Sequence, residues 1–297
     1  MEDIIGDAKV DHYQYKVLSI LFAPFQHVLL LDADAWAIRD PAYLFHSEPY
    51  KSHGLVTFPD VWVSTAHPAF FEITDTPMNA PTERRTSESS VLMYDKGMHA
   101  DSLILATYFN LYGPEQYYPL LSQHGPGEGD KETFLQAALS LGKPFYDVKE
   151  NVGIVGRVIE GHHRGAAMIQ HDPSEDWKLR EYLRTHGKPM TKPSGEPVKA
   201  SPLFIHHNIA KMDIYELSGD SEPLSIKTDE GKVDRLWGWP DGLYESAGFD
   251  IEKAMFGTII RAKCEVMAPA SECTGLWNFY RAAFGSDASK NGGKRGR

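Results

Sequence analysis

The chain has 297 residues, a formal net charge of −11 at neutral pH, and 42% hydrophobic residues. A chain of this size and composition buries a sizeable core, arranged as one large domain or one and a half. The acidic balance argues against a nucleic-acid partner, because nucleic-acid-binding surfaces are normally basic. No stretch approaches the roughly 18 apolar residues of a membrane span, and residues 1–7 do not resemble a signal peptide.

The first elements are a predicted helix over residues 11–25 and a strand over 28–31. The apolar strand ends directly at Asp32-Ala33-Asp34. An apolar run closed by two acids indicates a buried strand that emerges at a site. Asp32 and Asp34 are hard oxygen ligands, which suit Mn²⁺ or Mg²⁺ and leave further positions for phosphate oxygens. By itself the pattern fits a helix cap or a turn equally well.

Strands and helices alternate along the rest of the chain. We predict a short helix at 43–45, a strand over 54–58 closed by Pro59-Asp60, a polar loop over 72–87, a strand over 88–94, helices over 98–111 and 131–139, and a strand over 203–205. This alternation predicts an α/β fold with a parallel sheet, whose site lies at the carboxyl ends of the strands.

Acidic residues accompany two of these later elements. Glu88 enters a predicted strand, where an acid is more often a surface residue than a catalyst. Asp130 ends a glycine-rich loop over 125–130, and Glu132 lies in the first turn of the predicted helix that follows. Asp130 suits a helix cap and Glu132 suits the first turn, so both have a structural interpretation. In the functional interpretation this acid pair lies at the mouth of a ligand pocket and binds ligand hydroxyls, and Glu88 binds a second substrate or shields positive charge on the reacting carbon.

His206-His207-Asn208 follows the last predicted strand, with Lys211 three residues further on. A surface histidine pair that caps a strand is the simpler interpretation. However, one of the two histidines could complete a metal shell begun by Asp32 and Asp34, and Lys211 could meet a diphosphate.

The remaining segments carry less chemistry. Residues 172–201 are polar with four prolines and are predicted to form a surface insertion. Cys264 and Cys273 lie nine residues apart, and we favour a small-loop disulfide between them over two free thiols. The small, polar, basic tail over 285–297 is predicted to be disordered.

Taken together, these motifs resemble the fungal Golgi α-mannosyltransferases of glycosyltransferase family 71, of the α-1,2 and α-1,3 types. The resemblance covers about residues 11–215. Its matching stretches are 13–16, 29–34, 54–60, 88–99 and 112–123, together with Gly127-Glu128-Gly129-Asp130-Lys131-Glu132-Thr133-Phe134 and Pro202-Leu203-Phe204-Ile205-His206-His207-Asn208.

The resemblance implies a GT-A-like, Rossmann-related fold that moves mannose from GDP-mannose to a mannose-containing glycan, with Mn²⁺ (or Mg²⁺) as cofactor. It implies retention of the anomeric configuration and a Golgi location. By position, it assigns the metal and donor to Asp32 and Asp34, the distal metal ligand to His206 or His207, the sugar pocket to Asp130 and Glu132, and the acceptor side to Glu88.

Such enzymes normally begin with an anchor, a stem and the first βαβ part of the nucleotide-binding domain. This sequence starts just before the Asp-x-Asp strand, so we expect an N-terminally truncated fold. The expected domains are a catalytic portion over 1–215, a C-terminal extension over 216–284 and the tail over 285–297. Two alternatives to the transferase stay open. One is a non-catalytic paralogue that partners or regulates full-length mannosyltransferases. The other is a metal-dependent hydrolase that uses Asp32, Asp34, His206 and His207.

Overall fold

The fold is that of a computed structural model, which describes residues 10–78, 84–208, 233, 235–237, 247–266 and 270–285. The chain divides into two compact units. The first comprises residues 1–152 and 170–206, and the second comprises 153–169 and 207–297. Residues 153–169 therefore group with the C-terminal part of the chain. The predicted domains, 1–215 and 216–284, place these residues in the catalytic portion instead.

The described residues form both helices and strands throughout the chain. In chain order the elements are α1 (Gln14–Phe22), β1 (His27–Leu31), β2 (Ala35–Ala37), a 3₁₀ helix (Ala42–His46), α2 (Tyr50–His53), β3 (Leu55–Val63), α3 (Pro68–Thr74), β4 (Arg85–Asp95), α4 (Ala100–Leu111), a π-helical turn (Gly113–Tyr117), α5 (Tyr118–Ser122), α6 (Thr133–Ser140), β5 (Tyr146–Asp147), β6 (Gly153–Ile159), β7 (His162–His171), α7 (Pro173–His186), β8 (Pro202–His206), α8 (Ile251–Val266) and α9 (Ala270–Phe284).

The main sheet of the first unit has the strand order β1-β4-β3-β5. β4 runs antiparallel to both β1 and β3, and only β3 and β5 are parallel. The predicted parallel sheet is therefore wrong, although the mixed α/β composition is confirmed. Apolar runs show where strands lie along the chain, but they do not encode the direction in which each strand pairs.

Alternate residues of β4 enter two separate cores on the two faces of this sheet. Leu92 and Tyr94 pack with the helices α1, α4 and α6 through Val17, Leu103 and Phe134. Val91 and Met93 pack with residues of β3, β5 and β8 on the opposite face. Because side chains alternate along a strand, an apolar run such as residues 91–94 supplies both cores at once.

Two predicted boundaries are wrong. β3 does not end at Pro59-Asp60 but continues to Val63, and its pairing with β4 shifts register between Pro59 and Val63. Proline has no N–H for the ladder, so the strand tolerates it where the pairing is irregular. The predicted loop over 72–87 begins within α3 and ends within β4, which starts at Arg85.

Residues 172–201, predicted to be a polar insertion, contain the helix α7. Asp172 caps this helix by accepting hydrogen bonds from the backbone N–H groups of Ser174 and Glu175. Asp176 in the first turn is fully buried and accepts a 2.8 Å hydrogen bond from the Tyr146 hydroxyl. The start of α7 is thus packed into the first unit, while the segment after it is largely exposed.

The second unit contains the antiparallel β6–β7 hairpin and the helices α8 and α9. A disulfide between Cys264 and Cys273 joins the two helices, which confirms the predicted pairing. No helix in the described ranges is long and apolar enough to cross a membrane. The predicted tail over 285–297 lies outside the described residues from position 286 onward.

Reduction of the Cys264–Cys273 disulfide should destabilise the second unit. The cross-link closes a nine-residue separation, and loop-closure entropy predicts a loss of about 2.5 kcal/mol for a loop of this size. Urea unfolding of the protein with and without a phosphine reductant measures this loss. The paired Cys264→Ser and Cys273→Ser variant serves as the control, because its stability should not respond to reductant. Equal midpoints for the oxidised and reduced protein would contradict the prediction.

Candidate metal and donor site

Asp32 and Asp34 lie on a short turn between β1 and β2. The Asp32 N–H donates to the Ser90 carbonyl at 2.9 Å, which continues the pairing of β1 with β4 by one residue. The Ala35 N–H donates back to the Asp32 carbonyl at 2.9 Å and tightens the turn. Backbone bonds thus fix both carboxylates at the end of β1, next to the first half of β4.

His206 reaches the same place through a different strand pair. β2 and β8 are antiparallel, with Ala35 directly opposite His206. His206 therefore lies opposite the residue that follows Asp34. Its Nε2 is 3.6 Å from Asp34 Oδ1. This contact depends on a pairing between residues about 170 positions apart, which no local pattern in the sequence encodes.

Asp32, Asp34 and His206 form a group that could hold a metal ion. Each offers one ligand atom, and the three atoms lie within 4.8 Å of one another. The side chains are partly exposed, so the group is open on one side. Two carboxylate oxygens and one imidazole nitrogen suit Mn²⁺, and an open side leaves room for oxygens of a substrate. The residues present therefore fit the cation that the sequence predicts.

Glu88 lies behind His206. Its Oε2 accepts a hydrogen bond from His206 Nδ1 at 2.8 Å and a short one from the Ser90 hydroxyl. Burial lowers the pKa of His206, but the bond to Glu88 and the charge of Asp34 outweigh it, so the pKa lies above its usual value. A carboxylate on one ring nitrogen fixes the ring and leaves the other nitrogen toward the ligand group.

Glu88 is also almost completely buried, and its Oε1 lacks a hydrogen-bond partner among the described atoms. The predicted place of Glu88 on the acceptor side stays a prediction. The contact that the structure gives it is with His206, which indicates a positioning role for Glu88.

Lys16 is a site residue to which the sequence analysis assigned no role. Its Nζ lies 3.0 Å from Asp32 Oδ2 and 3.2 Å from Asp130 Oδ2, and donates to the Ser89 hydroxyl at 2.9 Å. Burial lowers the pKa of Lys16, but Asp130 and Asp32 more than offset it and hold the pKa above its usual value. One local signal was available: α1 directly precedes β1, the strand that ends at the Asp-x-Asp turn. A helix that packs back along the next strand places its first turn near the end of that strand.

Asp130 joins the cluster through Lys16. It is buried, and its Oδ1 accepts a 3.0 Å hydrogen bond from the Ser89 hydroxyl. Burial raises the pKa of Asp130, and the positive charge of Lys16 offsets this only in part because Asp32 adds a second negative charge nearby. Asp130 and Asp32 thus share Lys16 as a partner. The predicted place of Asp130 in a sugar pocket stays a prediction.

Glu132 does not face this group of side chains. It is almost fully buried, and its two oxygens accept hydrogen bonds from Arg84, the Thr86 hydroxyl, the Ser87 N–H and the Gln136 amide. Burial raises the pKa of Glu132, but Arg84 and these donors hold it below its usual value. Both oxygens are used by the protein itself. The predicted place of Glu132 in a sugar pocket stays a prediction that this geometry does not favour.

The other two predicted residues lie apart from the cluster. His207 is buried in the second unit, where its Nε2 accepts a 3.0 Å hydrogen bond from the Trp237 indole. It is not a member of the candidate ligand group, so of the two histidines the structure favours His206 as the metal ligand. Lys211 lies outside the described residues.

Comparison with known proteins gives an independent view of the same chain. A family model described as "Mannosyltransferase putative" matches residues 1–87 and 76–172, which is more than half of the sequence. These ranges include Lys16, Asp32, Asp34, Glu88 and Asp130. His206 lies beyond the ranges that this family model matches.

Curated relatives extend the similarity over most of the chain. It is 35% identical to "Alpha-1,2-mannosyltransferase MNN21" of Candida albicans, over 81% of this chain and 43% of that protein. It is 30% identical to "Alpha-1,2-mannosyltransferase MNN2" of Saccharomyces cerevisiae, over 85% of this chain and 51% of that protein. The chain thus spans about half the length of these relatives. On this evidence, the chain belongs to the mannosyltransferase family that includes these fungal α-1,2-mannosyltransferases.

Proposed function

We propose that this chain carries the catalytic site of a divalent-cation-dependent retaining α-mannosyltransferase, which moves mannose from GDP-mannose to a mannose-containing glycan. One observation carries the proposal: in a chain of this family, Asp32, Asp34 and His206 converge to within 4.8 Å. This convergence supports a cation site for a nucleotide-sugar, and with it a GT-A-like fold. A Golgi location belongs to the same proposal.

The residues of the site would divide the work as follows. Asp32, Asp34 and His206 would hold Mn²⁺ or Mg²⁺, which when bound would offset negative charge on the departing diphosphate. Glu88 holds the imidazole of His206 in one orientation through Nδ1. Lys16 sets a positive charge beside Asp32 and Asp130, so that the carboxylates of the site do not repel an incoming diphosphate as strongly.

Retention follows from attack on the same face of the sugar from which the nucleotide leaves. The bond from the anomeric carbon to the GDP oxygen breaks, and a bond from that carbon to the acceptor hydroxyl oxygen forms. The hydroxyl proton passes to an oxygen of the leaving phosphate, and GDP departs. A side-chain nucleophile is the alternative route, with Asp130 or Glu88 as the candidate. The structure favours front-face attack, because Asp130 is paired with Lys16 and Glu88 with His206.

The direct experiment incubates the purified chain with radiolabelled GDP-mannose, an α-linked mannotriose and Mn²⁺. We expect a longer oligosaccharide with a new α-linked mannose, and no product once EDTA removes the cation. Activity that is unchanged in EDTA would overturn the metal-dependent mechanism. An absence of GDP-mannose binding by calorimetry, together with co-purification of a longer relative, would instead favour the non-catalytic partner.

Replacing Glu88 with glutamine should weaken Mn²⁺ binding about tenfold, the lower end of the effect of removing a partner of a metal-ligating histidine. The amide oxygen can still accept from His206 Nδ1, but the negative charge that raises the basicity of the imidazole is lost. Calorimetric titration with Mn²⁺ alone measures the change without requiring activity. Glu72→Gln, at an exposed position on α3, is the matched control and should bind Mn²⁺ like the parent protein.

A further inference from the structure

A cavity of about 690 Å³ lies in the first unit beside the start of α1. Its described lining consists of residues 11–14, of Glu128, and of residues between the end of α4 and the start of α5, namely Leu111, Tyr112, Pro114, Glu115 and Tyr118. The volume lies within the range of pockets that enclose small-molecule ligands. None of the residues discussed as metal ligands lines this cavity.

Tyrosine rings form much of its wall. Tyr13 and Tyr112 are 52% and 46% exposed, respectively. Tyr118 lies behind Tyr13 and meets it edge to face at 6.3 Å between ring centroids, while its own hydroxyl donates to Asn110 at 2.7 Å. On its other side Tyr13 lies so close to Gly129 that a Cβ there would be 3.0 Å from the ring. These two contacts restrict the Tyr13 ring before any ligand arrives, which lowers the entropic cost of binding.

The polar groups of the wall select the kind of ligand. Asp11, Glu115 and Glu128 line the cavity, and the described lining contains no lysine or arginine. Carboxylates accept hydrogen bonds from hydroxyl groups but repel phosphate. Aromatic faces with carboxylate and amide acceptors around them suit a neutral, hydroxyl-rich ring, because the apolar face of a sugar stacks on the aromatic ring. This lining therefore favours an uncharged carbohydrate over a nucleotide diphosphate.

The cavity also continues toward the candidate metal site. Tyr13 and His12 line a second, smaller depression of about 340 Å³, which Lys16 and Asp32 share. Tyr13 and Lys16 are three residues apart, or about one turn of helix. The two depressions therefore share the wall formed by His12 and Tyr13, and the second one reaches Asp32, a carboxylate of the candidate metal site.

We propose that the cavity around Tyr13 and Tyr112 is the binding subsite for the acceptor, a neutral mannose oligosaccharide. The proposal rests on the transferase function proposed above and adds the place where the acceptor is held. Tyr112 is the residue to test, because it is half exposed and its backbone N–H bonds to the Tyr108 carbonyl whatever its side chain.

The experiment compares Tyr112→Ala, Tyr112→Phe and Phe25→Ala with the parent protein. Phe25 is 66% exposed and lines neither depression, so its variant controls for loss of a surface aromatic ring. Each protein is titrated with α-linked mannotriose by calorimetry, and the KM values for mannotriose and GDP-mannose are measured separately. We expect Tyr112→Ala to raise the mannotriose Kd and KM at least tenfold and to leave the GDP-mannose KM within twofold. Tyr112→Phe keeps the ring and should stay within threefold, as should Phe25→Ala.

The outcomes separate this inference from the proposed function. Transfer by the parent protein with an unchanged mannotriose KM in Tyr112→Ala would overturn the acceptor subsite alone. A raised KM for GDP-mannose instead would assign the cavity to the donor and also overturn it. If the parent protein transfers no mannose but binds mannotriose in a Tyr112-dependent manner, the glycan subsite stands and the transferase proposal fails.

Discussion

Replacing Asp34 with asparagine is expected to lower the rate of the proposed mannosyl transfer by about three orders of magnitude. A bound cation contributes several kcal/mol to the stabilisation of transition-state charge, and each ~1.4 kcal/mol corresponds to a tenfold change in rate. We test Asp34 and not Asp32, because replacing Asp32 would also break its ion pair with the largely buried Lys16. Transfer rates at saturating donor and acceptor measure the effect, and Mn²⁺ affinity should fall in parallel.

The control for this prediction is Asp75→Asn. Asp75 is exposed, and it ends α3 in the left-handed conformation that asparagine also tolerates. This variant should keep the transfer rate and the Mn²⁺ affinity of the parent protein. An Asp34→Asn protein that retained both would show that the cluster of Asp32, Asp34 and His206 does not hold the cation.

Replacing Lys16 with methionine should lower the free energy of unfolding by about 3 kcal/mol. Lys16 lies between Asp32 and Asp130, and methionine fills a similar volume without the charge. The two carboxylates then lose the ammonium group of Lys16 that lies between them. Asp130 is buried and has no other charged partner in the part of the chain described. Leaving one member of a buried pair without its partner typically costs 3–5 kcal/mol, and the partial exposure of Asp32 places the effect at about the lower bound. Urea unfolding at neutral pH measures the difference.

A second substitution shows whether this loss comes from the charge. Asp130→Asn in the Lys16→Met background removes the carboxylate that was left unpaired, so more than half of the lost stability should return. Lys51→Met, at an exposed position in α2, is the matched control and should change the stability by less than about 0.5 kcal/mol. The explanation fails if Lys16→Met behaves like Lys51→Met, or if Asp130→Asn restores nothing.

Several elements were predictable because their signals are local. The helix α1, the strand β1 and the helix α4 follow directly from apolar periodicity along the chain. The extension of β3 beyond Pro59 and the first turn of α7 were missed. Proline usually ends a strand, but Pro59 lies in β3 opposite Ser87 of β4. An aspartate is usually exposed, but Asp176 in α7 is buried and bonds to the distant Tyr146.

The candidate site divides in the same way. The sequence marks Asp32 and Asp34 as a cation motif, and the family resemblance adds His206 or His207 without choosing between them. Only the structure favours one of them, because β2 pairs with β8 and places His206 beside Asp34, whereas the His207 ring bonds to Trp237. Adjacent residues at the end of a strand point in different directions, so one residue of difference decides which ring reaches the site.

The chemical character of this protein was thus decided by the sequence: an acidic chain with an apolar strand that ends in Asp-x-Asp, and motifs that identify a mannosyltransferase family. The tertiary structure decided which side chains act together. In the folded protein Glu88 hydrogen-bonds to His206, and Glu132 is buried and accepts hydrogen bonds from other protein groups. Lys16 lies between Asp32 and Asp130. Residue types reveal which chemistry a chain can perform, but the partners of each charge depend on strand direction and pairing, which link residues far apart in the sequence.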